Sequence, residues 1–187
     1  MAKVTRADWL DAGLEVLASE GPQALVGERL AQRLGVTRGS FYHHFRSRES
    51  FLTALLERWS QRHTQNVIDA AERPGARGAK LDRLLDAVLA LPHDVGTAMR
   101  AWARSEPLVR RYQTQVDARR IAYLQKLLAG GTLTPARSRR LAQLAYLLYV
   151  GLQHVYAQPN PRLARELSGE VRWLADLPAP RAKARRP

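Results

Sequence analysis

The sequence predicts an all-α chain of about nine helices, with a small N-terminal three-helix unit leading into a larger helical body. Three observations predict this. Apolar residues recur at helical spacing almost throughout, and no convincing period-two run appears. Helix signals punctuate the breaks, with Ser or Thr before several starts and Gly or Pro after several ends. The 45% hydrophobic and 25% charged fractions are ordinary for a soluble globular protein, and 187 residues suffice for one good core or for a small domain continuous with a larger one.

The first helix opens at Thr5-Arg6-Ala7-Asp8, which has the form of a capping box. It buries Trp9, Ala12, Gly13, Val16 and Leu17, then stops before Gly21-Pro22. The second carries Leu30, Ala31 and Leu34 on one face and ends at Gly35, a natural residue to close a helix. Gly35-Val36-Thr37 makes a tight corner into a very short third helix, for which Thr37 is a good N-cap. Two helices joined so tightly, the first ending at Gly, form a helix-turn-helix pattern.

Ser47-Arg48-Glu49-Ser50 opens the fourth helix. Phe51, Leu52, Leu55, Leu56 and Trp59 are its inward stripe, and it is expected to run to about Glu72. Arg73-Pro74-Gly75-Ala76-Arg77-Gly78 is a clear break. A fifth helix holds Leu81, Leu84, Leu85, Val88 and Leu91 before Pro92, and a sixth spans roughly His93 to Arg104. Ser105-Glu106-Pro107 starts a seventh that Gly130-Gly131 ends. Thr134-Pro135 starts an eighth whose middle, Leu141 to Tyr156, is apolar on more than one face and so calls for burial on both sides, the second side plausibly against another subunit. Pro159-Asn160-Pro161 breaks it. The ninth runs to about Leu177 on a stripe of Leu163, Leu167, Val171 and Leu174, and residues 178–187 form a flexible basic tail.

Composition narrows the function classes. With no cysteine, disulfides, thiolate metal sites and cysteine nucleophiles are excluded. The five histidines (His43, His44, His63, His93, His154) are scattered and suggest neither a catalytic constellation nor a metal site, so no enzyme, metal or cofactor is expected. No secretory signal core and no membrane-length apolar run is evident, so a soluble, cytoplasmic protein away from membranes is expected. The net charge of +13 favours a polyanionic partner, although a compositional bias toward Ala, Leu and Arg explains it equally well. It does not locate a site. Residues 1–50 hold Lys3, Arg6, Arg29, Arg33, Arg38, Arg46 and Arg48 against Asp8, Asp11, Glu15, Glu20, Glu28 and Glu49, a balance of only +1.

Local placement is more telling. The short third helix crowds Arg38, Ser40, Tyr42, His43 and His44 around two anchors, Phe41 and Phe45. An element that short buries little and is unstable alone, so core formation does not account for its hydrogen-bonding side chains. Entry into a DNA major groove does.

Residues Thr5 to Leu56 closely resemble the DNA-binding domain of the TetR family of transcriptional regulators. The resemblance rests on the Gly21 break, Leu30-Ala31, Gly35-Val36-Thr37, Phe41-Tyr42-His43-His44-Phe45 and Ser47-Arg48-Glu49, in that order and spacing. Carried onto matching positions, it implies that Arg38 and Ser40 read base edges and that Gly39 lets the helix approach the duplex closely. Thr37, Tyr42, His43 and Arg48 would contact phosphates. Val26 departs from the pattern, which places Thr or Ser there. Valine neither caps the second helix nor touches a phosphate, and Gly27 weakens the same helix start.

The expected organisation is therefore a helix-turn-helix DNA-binding domain over residues 1–46, a C-terminal helical ligand-binding and dimerisation domain over 47–177, and the tail. One such reading unit makes few phosphate contacts, so a homodimer on a palindromic operator in double-stranded DNA is expected, formed by the two C-terminal helices. The resemblance implies a small-molecule effector that releases a repressor from its operator. Trp59, His63, Met99, Trp102, Tyr123, Tyr146 and Tyr149 are candidates to line its pocket, with plain core packing the other role open to each. A DNA-bound adaptor that recruits a protein partner, ungated by any small ligand, is the alternative.

Overall fold

The computed structural model describes residues 4–74, 79–129, 133–156 and 158–177. Among them, helices α1 (Arg6–Glu20), α2 (Gly27–Leu34), α3 (Arg38–His44), α4 (Arg48–Ser60), α5 (Asn66–Glu72), α6 (Ala79–Leu89), α7 (His93–Trp102), α8 (Pro107–Leu128), α9 (Pro135–Val155) and α10 (Pro161–Asp176) carry the chain, with no strand. Because α4 and α5 run on through a π-helical turn, Gln61–Gln65, the described residues form nine helical rods, as the sequence predicts. Residues 75–78 of the expected break, the Gly130-Gly131 stop and the tail from Pro178 lie outside the described residues. No described helix is long and apolar enough to cross a membrane.

Packing divides the chain into two units, Met1–Asp117 and Ala118–Pro187. In the first, the predicted caps are in place. Thr5 accepts the backbone N–H of Asp8 while Asp8 accepts that of Thr5, and Ser47 and Ser50 exchange the same pair of bonds at the start of α4. Gly35 closes α2 in the left-handed region at φ +65°. One expectation fails: Thr37 holds the N-cap position of α3 with extended backbone, but its hydroxyl makes no bond to the helix. The first turn of α3 is held instead by the main chain, with Ser40 N–H donating to the Thr37 carbonyl, so the exposed hydroxyl is left for another partner.

The core of this unit is continuous from Trp9, Leu14, Val16 and Leu17 of α1 through Leu30, Phe41 and Phe45 to Phe51, Leu55 and Trp59 of α4, and on to Val95, Met99 and Trp102 of α7. At Gly13 the backbone of α1 lies close against side chains of α4. A Cβ there would stand 2.9 Å from Phe51 Cζ and 3.0 Å from Leu55 Cδ1. Polar ties reinforce the same junction. Arg58 donates two bonds of 2.9 Å to the two carboxylate oxygens of Asp11, and Arg62 donates a third of 2.7 Å. The Arg58 bond chiefly holds the Asp11 carboxyl below the usual carboxylate range, against the opposing effect of its burial. Between α4 and α5 the Asn66 N–H reaches back five residues to the Gln61 carbonyl, and His63 and Thr64 in that turn are buried.

In the second unit, Thr134 caps α9 by accepting from Arg137 N–H, and Asn160 caps α10 by accepting from Leu163 N–H. The inner faces bury Leu141, Ala142 and Tyr146 of α9 with Ala164 and Val171 of α10, and Arg137 donates to the Leu174 carbonyl at 2.8 Å. On α9 the apolar surface exceeds what this pairing covers. Leu147 is 67% exposed and Val155 74%, Leu144 is also exposed, and on α10 Trp173 is 57% exposed. Gly151 and Gly169 have nothing within 4 Å of where a side chain would begin.

Candidate nucleic-acid interface

Helix α3 has two faces, as its sequence requires at a 3.6-residue period. Phe41 and Phe45 are buried. Phe41 sits in an aromatic cluster with ring centroids 5.4 Å from Trp9, 5.2 Å from Phe45 and 5.4 Å from Phe51. His44 is half-buried and its ring lies 6.4 Å from that of Trp9, so it belongs to the anchoring side. Thr37, Arg38, Gly39, Tyr42 and His43 are exposed, Ser40 is half-buried, and Arg48 is exposed at the start of α4. Tyr42 is 57% exposed, unusual for an aromatic side chain unless its ring has something to meet. The anchors are thus turned inward, and the candidate readers and clamps are left exposed or half-buried.

Pairing of charges shows which cations this surface keeps. Arg29 bonds Glu20 at 2.8 Å and Arg33 bonds Glu15 at 3.0 Å, so these two are already partnered. Among the described residues up to position 50, Arg6, Arg38, Arg46 and Arg48 are in no ion pair. All four flank α3. Arg6 lies over the Phe45 ring at 5.2 Å, Arg38 opens α3, and Arg46 and Arg48 follow its end. The +1 balance of this region therefore conceals four arginines around the short helix that are in no ion pair among the described residues. The Tyr42 hydroxyl one turn along, and after it the Glu28 charge, hold the Arg38 proton more tightly than usual.

Two features of the neighbouring helix refine the picture. Val26 gives α2 no side-chain cap and is itself exposed. Gly27 has a packing reason that its low helix propensity conceals, since a Cβ there would stand 3.2 Å from Phe41 Cγ. The start of α2 thus rests directly on the aromatic anchor of α3. Glu28, which the sequence offers only as one acid among six, follows it on the exposed surface.

The effector-pocket candidates fall into two groups. Trp59, Met99 and Trp102 are buried in the core of the first unit, and His63 is buried in the π-helical turn. Tyr123, Tyr146 and Tyr149 lie in the second unit, where the Tyr146 and Tyr149 rings are 6.1 Å apart and Arg120 donates to the Tyr146 hydroxyl at 3.4 Å.

Comparison with known proteins agrees with this geometry. The sequence pattern of the bacterial regulatory proteins of the tetR family matches residues 10–55. The tetracycline repressor protein class D of Escherichia coli is 34% identical over 71 residues, 38% of this chain and 33% of that protein. An uncharacterized HTH-type transcriptional regulator of Pseudomonas putida, TtgW, is 40% identical over 55 residues, 29% of this chain and 41% of that protein. The matched segment spans about a third of the length of the tetracycline repressor. The fold is shared more widely. A TetR transcriptional regulator from Legionella pneumophila superposes with a TM-score of 0.72 at 18% identity, covering 94% of this chain and 97% of that one. These relatives are a repressor and transcriptional regulators. The N-terminal helix-turn-helix thus matches the tetR family of bacterial regulatory proteins over residues 10–55, and the all-helical fold is one it shares with a TetR regulator of known structure.

Proposed function

We propose that this protein is a sequence-specific DNA-binding transcriptional regulator, a homodimeric repressor that a small-molecule effector releases from a palindromic operator. The observation that carries the DNA reading is the rim of unpaired Arg6, Arg38, Arg46 and Arg48 around a helix whose outer face presents Ser40, Tyr42 and His43. Arg38 and Ser40 are the base readers in this proposal. Arg suits the O6 and N7 acceptors of guanine, and Ser can donate to or accept from a base edge. Gly39 leaves room for close approach. Thr37, with its hydroxyl unused, joins Tyr42, His43 and Arg48 as phosphate clamps that position without reading.

The exposed apolar stripe of α9 supports the homodimer. Leu144, Leu147, Gly151 and Val155 follow one another at helical spacing, and Trp173 and Gly169 stand on α10. Pairing these two helices with their copies across a two-fold axis covers all of them and supplies the second reading helix that a palindrome requires. Effector control then requires a ligand that binds one spacing of the two readers better than the other, because equal affinity would shift nothing. The adaptor reading differs only in that last step.

In-vitro selection of bound duplexes, followed by salt titrations of affinity, tests the reading. Arg38→Ala is expected to weaken operator binding roughly tenfold and to relax preference at one base pair. Arg48→Ala should weaken binding to all duplexes alike and flatten the salt slope, and Tyr42→Phe should weaken it alike with the slope unchanged. Unchanged operator affinity and preference in Arg38→Ala would remove the base-reader assignment. A compound screen for release from the selected duplex separates a gated repressor from an adaptor.

A further inference from the structure

Within the first unit, α8 buries Val109 and Val116, which are 0% and 2% exposed, and between them Gln113 at 6%. Spacings of four and three place all three on one face of the helix. The two valines belong to the core that also holds Met99 and Trp102 of α7. An apolar residue at position 113 would continue the stripe, but the sequence puts an amide there. Gln113 Nε2 donates to Asp117 Oδ1 at 2.6 Å, and the Arg100 guanidinium of α7 donates to both oxygens of the same carboxylate at 3.0 Å. A carboxylate so held can only accept, so this bond fixes which end of the amide is nitrogen and which is oxygen. The oxygen, Oε1, is closed off from solvent and has no hydrogen-bond partner.

A buried acceptor without a donor costs stability that an apolar side chain of the same shape would not. Such a group in a core calls for a donor from outside the folded chain. Its surroundings restrict what that donor is. An anion would set like against like at the carbonyl oxygen. A cation would leave water to meet a carboxylate whose charge Arg100 already balances. The core side chains Met99, Trp102, Val109 and Val116 suit an apolar or aromatic body. We propose that Gln113 Oε1 accepts a hydrogen bond from the effector, and that the effector is a neutral, largely apolar compound with an O–H or N–H donor, of the phenol or indole class. The proposal rests on the effector-gated reading, and it names the effector's chemistry and the atom that selects it.

The test is a set of thermal melts of the full chain with phenol and indole, each set against its methylated counterpart, anisole or 1-methylindole. Benzoate and benzylamine are the charged probes, and the proteins are wild type, Gln113→Leu and Gln113→Met. Phenol or indole is expected to raise the wild-type melting temperature and to bind roughly three- to tenfold tighter than its methylated counterpart. Both variants should melt at or above the wild-type temperature without probe and lose that preference. The favoured probe should also weaken wild-type binding to the selected duplex. Equal binding of donor and methylated probes, a preference kept by both variants, or a charged probe that binds as tightly would each overturn the proposal. No response to any donor probe would overturn it too, and lowered melting of both variants would then identify a buried water as the missing donor. If the melts behave as expected but no probe releases the duplex, the acceptor site stands and the gated-repressor reading falls. A compound that releases the duplex from wild type and both variants alike keeps that reading and removes this inference.

Discussion

Replacing Asp11 by Asn should destabilise the protein by about 1–2 kcal/mol at neutral pH. The carboxylate accepts two bonds from Arg58 and one from Arg62, and the three side chains are 33–42% exposed. A fully exposed pair of this kind is worth at most about 1 kcal/mol, and a hydrogen bond to a charged group about 1.5–3. Discounting for exposure places the network between them. Asn keeps the shape and one acceptor, but turns an amide donor toward a guanidinium that can only donate. For a cooperative unit of this size the loss corresponds to roughly 3–8 °C in Tm. The pH dependence identifies the charge as the cause. Because the folded protein holds the Asp11 proton affinity below its ordinary value, chiefly through Arg58, the unfolded chain takes up that proton first as pH falls. The contribution is thus complete above the usual carboxylate range, declines as pH drops through it, and is gone below the depressed folded value. Urea unfolding of wild type and Asp11→Asn from neutral pH into acid should show a constant gap that then closes. A gap under about 0.3 kcal/mol at neutrality, or one that persists unchanged in acid, would refute the reasoning.

Other outcomes can be read with similar directness. Gly13→Ala gains about 1 kcal/mol of helix propensity but pushes a methyl against Phe51 and Leu55, both fully buried, so a net loss of about 1 kcal/mol is expected in a thermal melt, and a raised Tm would contradict the contact. Gly35→Ala meets no neighbour at all, yet its φ of +65° should cost about 1–2 kcal/mol through backbone strain alone, measurable by urea unfolding. Leu147→Asp, at the centre of the exposed α9 stripe, should give a monomer by light scattering at micromolar concentration with the helical circular dichroism retained. A dimer of unchanged strength would move the interface elsewhere.

The elements were legible because their ends are written locally. Thr5 with Asp8, Ser47 with Ser50, Thr134 before Pro135, and Gly35 after Leu34 each declare a boundary within four residues, and each boundary is found where it is declared. Thr37 shows the limit of that reading. Its residue type fits an N-cap and its backbone adopts one, but the orientation of a hydroxyl is not a sequence property. The division of α3 into anchors and outer face was equally legible, since Phe41 and Phe45 are one turn apart. What stayed hidden depends on pairs distant in sequence. Which arginines near α3 remain unpaired is settled by Glu15 meeting Arg33 and Glu20 meeting Arg29, and the smallness required at Gly27 is set by Phe41.

The π-helical turn at Gln61–Gln65 acts as an indexing step for the rod it interrupts. Buried Leu55, Trp59, His63, Val67 and Ala71 fall at intervals of four, and in an uninterrupted α-helix that spacing walks steadily around the axis, about 40° per step. One wider turn takes up the accumulated advance and returns the later residues to the face of the earlier ones. A single-residue deletion within Gln61–Gln65 would let the rod relax to plain α geometry and would keep Val67 and Ala71 within about 20° of the face of Trp59. The turn therefore takes up one extra residue while holding the bearing of the rod beyond it, and an insertion into the plain α-helical stretch that follows would act by rotation even if no side chain is altered.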